Sequence, residues 1–280
     1  MSLSIHQTIV IRDANGPRTA AKSAGIPFDW EECTLRVAAR FGPRPDDTPC
    51  PAALMVVDID KAHVAVVQIA DAPAHGNGFV PLRFRFLILE TRTYDLLGDP
   101  FAVADAFPAT ANETGELPTL EWPAQPLPQR KVETILALLK SGDMPLLLGA
   151  TQALLDGGSL LLIESEPQND VLRSVWQLLP DRSRSELRMA TFAFSGELGF
   201  QVWAMPKAPE PWPERTLTAE QTRDYPEGRY ELALQVAAEG GQQADLDRLL
   251  ARRSSKDVLR LAASMVAFAL VAALIGKFLL

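Results

Sequence analysis

The amino-acid sequence predicts an α/β or α+β fold, in which a mixed β-sheet with packed helices is followed by a short helical stalk and one C-terminal transmembrane helix. Two apolar runs, 52–59 and 63–70, flank a short polar turn, which predicts a β-hairpin. Further along the chain, strand-like runs are separated by helix-like periodicities, which favours a mixed sheet. The run 261–275 contains no charged residue, which indicates a membrane span.

These patterns divide the 280 residues into four parts. We expect residues 1–205 to form the folded domain and 206–226, which are rich in proline, to form a linker. Two helical patterns then predict a stalk over 227–256, and the anchor follows at 257–280.

The first elements are predicted from apolar periodicity. Residues 5–11 form a strand pattern, and 82–89 form a third strand after the hairpin, apolar enough for the centre of a sheet. A stripe at helical spacing begins after Asp29 and continues to Phe41. Asp29 is the predicted N-cap, and Gly42 with the following proline ends the helix.

The later elements are less regular. Residues 91–129 contain six prolines and little periodicity, which predicts a surface loop with short ordered pieces. The other predicted elements are helices at 132–142, 145–155, 171–179, 227–239 and 242–252, and strands at 159–163, 187–195 and 200–205.

The C-terminal residues predict where the protein is located. As a helix, residues 261–280 span roughly 30 Å, which matches the hydrocarbon core of a bilayer. Four cations precede the run, which favours a cytoplasmic N-terminal domain at the inner membrane. The alternative is a soluble, packed helix, but apolar residues surround this helix on all sides. The predicted anchor residues are Leu261, Met265, Phe268, Leu270, Leu274, Ile275 and Lys277.

The predicted topology is single-pass and tail-anchored, because residues 1–11 lack the basic and apolar regions of a cleavable signal. Small residues lie near one side of the predicted transmembrane helix and permit close helix contacts, so a homodimer through this helix is a further expectation. These small residues are Ala262, Ala269, Ala272, Ala273 and Gly276.

The charge distribution constrains the partners. The chain has a formal net charge of −8, yet residues 252–280 hold five cations and one acid, so the domain before them is more acidic still. An acidic domain argues against nucleic acid as a partner. Cys33 and Cys50 form no C-x-x-C pair, which favours reduced thiols.

No sequence pattern predicts a catalytic residue or a cofactor. The chain lacks the G-x-x-x-x-G-K-[ST] motif, and Ser195 lacks the first glycine of a nucleophile elbow. Asp58, Asp60 and His63 make a weak metal-ligand candidate around the hairpin turn, because carboxylates and imidazole bind cations. The alternative is a hairpin tip whose polar residues face water.

Two arginine pairs are the candidate binding residues. Arg182 and Arg184 follow a predicted helix end and could bind phosphate or carboxylate, or could simply favour the helix dipole. Arg83 and Arg85 share one face of the third strand, where they could pair with acids across the sheet or line an anion pocket.

One segment carries a family resemblance. It reads Trp176-Gln-Leu-Leu-Pro, then Arg182, and then Leu187 with Thr191-Phe four residues later. Together with Gln7 and other upstream pieces, it resembles the N-terminal domain of bacterial GTPase-associated proteins over about 1–205. The resemblance implies a fold and an association with GTPases. In that setting Arg182 or Arg184 could act as an inserted arginine.

We therefore expect a tail-anchored membrane protein whose cytosolic domain is a non-enzymatic protein-interaction or adaptor module. Its expected partners are membrane lipid and a protein, with a GTPase as one candidate. The first alternative is a regulator of a partner GTPase at the membrane. The second is a metal-dependent hydrolase that uses the Asp58 cluster.

Overall fold

The computed structural model describes residues 3–45, 48–73, 80–109, 115–123 and 127–251. Within these ranges the chain has a mixed α/β fold with a large mixed sheet and packed helices, which confirms this part of the predicted fold class. The same residues include no helix that is long and apolar enough to cross a bilayer. The predicted anchor, from Leu261 to Lys277, lies outside the described residues.

The first half of the chain holds two hairpins joined by a helix, then a long strand, two short helices and two short strands. Its elements are β1 (Ser4–Asp13), β2 (Gly16–Ser23), α1 (Phe28–Arg40), β3 (Ala53–Asp58), β4 (His63–Asp71), β5 (Leu82–Glu90), α2 (Thr91–Leu97), α3 (Pro100–Ala106), β6 (Gly115–Leu117) and β7 (Leu120–Glu121).

The second half alternates helices with short strands. Its elements are α4 (Val132–Ser141), α5 (Met144–Leu155), β8 (Ser159–Ile163), α6 (Asn169–Leu178), α7 (Asp181–Glu186), β9 (Met189–Ala190), β10 (Val202–Met205), β11 (Thr216–Thr218), α8 (Ala219–Arg223), α9 (Arg229–Glu239) and α10 (Gln243–Leu250).

The sheet consists of an antiparallel part and a parallel part. The order β3-β4-β5-β1-β2 is antiparallel, and the order β11-β8-β10-β9 is parallel. They join where Met55 of β3 pairs with Ala190 of β9. Thr191 extends this junction, since its backbone N–H donates to the Leu54 carbonyl at 2.7 Å and its hydroxyl accepts from the Leu54 N–H at 2.8 Å.

The strand predicted over 187–195 is only two residues long. The chain leaves the ladder after Ala190, because the Ala193 N–H donates to the carbonyl of Ala204 and the Phe194 N–H donates to that of Phe41.

The helix α1 ends as predicted. Gly42 has φ +96°, and a Cβ there would lie 2.7 Å from the Phe194 carbonyl carbon, so only glycine fits. Its predicted N-cap was wrong: Pro27 holds that position.

Part of the proline-rich stretch is helical. Asp99 caps α3, and its carboxylate accepts from the N–H groups of Phe101 and Ala102 at 3.0 and 3.1 Å. Pro100 occupies the first helical position, where its fixed φ is suited to a helix. The helices α2 and α3 therefore lie within the segment predicted as a loop, and they bring Asp99 to the site described below.

The segment predicted as a linker and the helices after it also contact the domain. β11 pairs in parallel with β8, and α8 begins with a capping box between Thr218 and Gln221. In α9 the Tyr230 hydroxyl donates to the Leu178 carbonyl at 2.7 Å. Leu234 and Leu246 are fully buried in the same hydrophobic core as the sheet. The part of the predicted stalk that the structure describes thus packs on the domain.

Candidate functional site

An open groove of about 850 Å³ lies where α2, α3, α4, α6, α7 and α10 meet. We call it the helical groove. Its floor is apolar and includes the buried side chains of Leu97, Ile135 and Leu250. At its rim, Leu96 is 79% exposed. Concave sites with an apolar lining and a few placed polar groups are the usual form of binding sites.

Arg184 is the buried cation of the groove. Its side chain is only 7% exposed, and its two terminal nitrogens lie 3.4 Å from carboxylate oxygens of Asp99 and Asp181. Its Nε atom has no hydrogen-bond partner among the described residues. Since a guanidinium has five N–H donors, two long contacts leave it incompletely satisfied.

Arg130 lies beside Arg184 and has shorter contacts. It donates to the carbonyls of Gln177 and Leu179 at 2.9 and 2.6 Å and to the carboxylate of Asp181. Burial, and secondarily the positive charge of Arg184, lowers the pKa of Arg130 to about 10. Asp181 therefore lies between two guanidinium groups that repel each other, and it offsets part of that repulsion.

Arg173 forms the boundary between the helical groove and a second concavity. It donates to both carboxylate oxygens of Asp105, at 2.7 and 3.1 Å, and its guanidinium carbon lies 4.8 Å from the centre of the Phe101 ring. The hydrogen bonds that Arg173 donates to the Asp105 carboxylate raise the pKa of Arg173. The second concavity has a volume of about 770 Å³ and is also lined by Arg83.

The structure separates Arg182 from Arg184. The two residues are two positions apart on α7, so their side chains do not share a side of the helix. Arg184 enters the helical groove, whereas the Arg182 side chain is 40% exposed and lies 3.7 Å from Asp95 and 3.4 Å from Glu186.

Arg85 lies in the interior and Arg83 at the edge of the second concavity. Arg85 is buried on β5, where it donates to the side-chain oxygen of Gln7 at 2.6 and 3.0 Å and to that of Gln68 at 3.1 Å. It also donates to the carbonyls of Phe107 and Pro108, both at 2.9 Å. These contacts join β5 to β1, to β4 and to the segment after α3.

The metal candidate is only partly assembled. Asp58 ends β3 and accepts from Arg188 at 2.7 Å, whereas Asp60 accepts from the ring of His63 at 2.9 Å and from the indole of Trp30 at 2.8 Å. In the ranges that the structure describes, no group of three or more His, Cys, Asp or Glu side chains could hold a metal ion. Asp60 and His63 come together, but Asp58 binds an arginine.

The Asp60 carboxylate is held in its charged form. Burial alone would raise its pKa, but hydrogen bonds from the Ala62 N–H, His63 and Trp30 together lower it. The rings of Trp30 and His63 are in contact, with their centres 4.2 Å apart and their planes tilted by 56°. These contacts connect the hairpin turn to α1.

Sequence reasoning found Arg184 but missed the other groove residues. Asp99 followed by proline is a helix-start signal and could have located α3 and its cap. Arg130 has no comparable signal, since it lies in a proline-rich stretch and its partner Asp181 is 51 positions away. Leu96 is one of many leucines in the chain, and only the structure shows that it is exposed.

Comparison with models of protein families gives no match for this chain, and comparison with curated proteins gives none either. The function therefore has to be argued from the groove itself. The groove offers an apolar surface and three arginines paired with carboxylates, and one of the three, Arg184, has a donor without a partner in the described residues.

Proposed function

We propose that this chain is a membrane-tethered protein-interaction module and that the helical groove receives a segment of a partner protein. The observation that carries the proposal is the exposed Leu96 at the rim of a groove with an apolar floor. Grooves between helices commonly bind a segment that inserts apolar side chains. Covering this leucine with an apolar side chain of a partner would remove its apolar area from water, which is favourable.

The groove is held in shape by ion pairs that connect its walls. Arg173 and Asp105 connect α6 to α3. Arg130 connects the segment before α4 to Asp181 at the start of α7. A site whose walls are already fixed loses less entropy on binding than one that must be assembled.

The predicted anchor supports a role at the membrane. Leu250 lines the groove, and the predicted anchor begins at residue 257. A domain tethered at the cytoplasmic face of the inner membrane would meet membrane-bound partners at a raised effective concentration. The proposed location is the inner membrane, with the domain in the cytoplasm.

Site-specific photo-crosslinking in intact membranes tests the proposal. A photoreactive amino acid replaces Leu96 in the full chain, and a matched variant carries it at Phe28, which is 75% exposed and outside the groove. We expect one protein to be crosslinked from position 96 and not from position 28. The same proteins crosslinked from both positions, or none from position 96, would contradict the proposal.

A second candidate function is regulation of a partner GTPase, and the exposure of Arg182 favours it. An inserted arginine has to reach the phosphates of another protein, and Arg182 is far more accessible than Arg184. The test is the GTP hydrolysis rate of a GTPase that co-purifies with the chain. We expect the wild-type chain to accelerate GTP hydrolysis, Arg182→Ala to abolish this acceleration and Arg248→Ala to preserve it. No acceleration by the wild-type chain would reject this candidate.

A further inference from the structure

We propose that the helical groove holds the chain's own C-terminal residues until they enter a bilayer. We call residues 252–275, which lie outside the described residues, the tail segment. It comprises four cations and one acid within 252–260, followed by the uncharged run 261–275. The inference rests on the proposed function, because the tail segment and the partner share one site. The groove is thus closed in water and opens to the partner once the run lies in the membrane.

The described part of the chain ends at the groove. Leu250 and Asp247, both on α10, line the groove, and Ala251 is the last described residue. Residues 252–260 separate this point from the uncharged run. Nine residues of extended chain can cover about 30 Å. That reach is more than is needed to turn back across a groove of about 850 Å³, so the run can contact the groove of its own molecule.

Asp247 gives the groove a charge that suits the tail segment. The other four aspartates of the groove are each paired with an arginine. Among the described residues Asp247 has no ion pair, and only the side-chain amides of Gln129 and Gln243 donate to it. The cations of the tail segment begin at Arg252, directly after α10. An ion pair at this partly exposed position adds little free energy, but it favours a basic segment over an acidic one.

The apolar surface of the groove suits the uncharged run. Leu96 is 79% exposed at the rim, and Leu127 and Leu138 are half-buried in the lining. The run 261–275 contains only apolar residues and one serine. Exposure of such a run to water costs roughly 25 cal/mol for each Å² of apolar area. Contact with the groove removes part of this area from water.

The relative size of groove and run sets the direction of the switch. A volume of about 850 Å³ holds a few apolar side chains and not the whole run. A bilayer covers the run on all sides and therefore removes more apolar area from water. In water, attachment to the same chain gives the run a high effective concentration at the groove. The tail segment therefore occupies the groove in water and leaves it when a bilayer is present.

Photo-crosslinking of the full chain without membranes tests the inference. The chain carries the photoreactive amino acid at position 96 and is made by cell-free synthesis from purified components, without lipid or detergent. Denaturing electrophoresis isolates the monomer band, and mass spectrometry of its peptides locates crosslinks within one chain. We expect a crosslink from position 96 to the run 261–275, which decreases about tenfold when liposomes are present during synthesis because the bilayer covers the run. The control carries the amino acid at Phe28, outside the groove, and should give no such crosslink.

A charge placed in the groove provides a second measurement. Leu138→Asp puts a carboxylate in the groove lining, whereas Ala137→Asp puts one at the adjacent, exposed position of α4 outside it. We expect Leu138→Asp to reduce the internal crosslink by about fivefold or more, because an apolar segment would have to desolvate the carboxylate. Ala137→Asp should leave the crosslink unchanged. Circular dichroism checks that both variants fold; if Leu138→Asp does not, the comparison of positions 96 and 28 decides.

Several results would overturn the inference. They are the absence of an internal crosslink from position 96, an equal yield from position 28, crosslinks only between copies, a yield that liposomes do not change, and an unchanged yield in folded Leu138→Asp. The two proposals fail separately, because no partner protein is present in this experiment. A partner crosslinked in intact membranes without an internal crosslink in water would refute the inference and leave the proposed function standing. An internal crosslink in water without a partner in membranes would refute the proposed function.

Discussion

Arg85 and Arg184 are both buried, but the regions that hold them treat the guanidinium differently. On β5, in the antiparallel part of the sheet, Gln7, Gln68 and two backbone carbonyls accept from Arg85 at 2.6 to 3.1 Å. On α7, beside the helical groove, Arg184 has two contacts at 3.4 Å and an Nε atom without an acceptor in the described part of the chain.

The difference separates an arginine with several short hydrogen bonds from one with only two long contacts. The acceptors around Arg85 come from β1, β4 and the segment after α3, so its hydrogen bonds hold these parts together. Arg184 lines an open groove with donors to spare. The sequence shows an arginine at both positions, and only the surrounding structure distinguishes them.

The largest effect that we expect comes from Arg85→Ala. Removing this side chain leaves the buried oxygen of Gln7 and the half-buried oxygen of Gln68 without their Arg85 donor, which should lower the free energy of unfolding by about 3 kcal/mol or more. Urea denaturation measures this change. The control is Arg83→Ala on the same strand, where the side chain is only half-buried and the loss should be smaller. Equal losses would contradict the structural role of Arg85.

A smaller effect is expected for Arg184→Gln. Its two long contacts contribute little, so the free energy of unfolding should fall by about 1 kcal/mol. The same urea titration compares this variant with Arg85→Ala. A loss as large as that of Arg85→Ala would mean that Arg184 is a structural residue, and the comparison between the two regions would fail.

Asp60 extends the comparison to a partly exposed cluster. Since hydrogen bonds lower the pKa of Asp60, its contribution to stability is present above the pKa of the unfolded state and is lost as the pH falls through the folded pKa. We expect Asp60→Asn to lower stability at pH 7 by less than about 1 kcal/mol. The difference from wild type should disappear in strong acid. Thermal unfolding of wild type and variant from pH 7 to strong acid measures this difference in stability. The control is Asp29→Asn, at an exposed position. A difference that persists in acid would refute this account.

The smallest effect is expected for Tyr94→Phe. The hydroxyl of Tyr94 is buried without a hydrogen-bond partner among the described residues, so its removal should change the free energy of unfolding by less than about 0.5 kcal/mol. Tyr230→Phe is the matched control, because the Tyr230 hydroxyl donates to the Leu178 carbonyl. That control should lose about 1 kcal/mol. A clear loss from Tyr94→Phe would show that its hydroxyl has a partner.

The antiparallel part of the sheet was the more predictable part. β3, β4 and β5 are long apolar strands, and a turn of four residues joins β3 to β4, so local pattern is sufficient to identify them. β2 was missed, because its sequence GPRTAAKS has no apolar alternation and its structure comes from pairing with β1. In that strand tertiary context overrides local propensity.

The parallel part depends on elements too short to show a period. β11 has three residues and β9 has two, and α7 has six. A helical stripe needs about two turns to be recognised, and strand alternation needs four or more residues. β11 and β9 form because β8 and β10 offer unpaired backbone groups beside them. A sequence window contains no information about such a neighbour.

Sequence alone determined that this chain builds a mixed sheet with packed helices, because burial of periodic apolar residues is a local property of each long segment. Sequence also identified Arg184 as a candidate, but not its surroundings. The tertiary structure decided that Arg184 faces Asp99, 85 positions away, and Asp181 in a groove made by six helices. Such a site depends on contacts between distant segments, and only the packing of the whole domain specifies them.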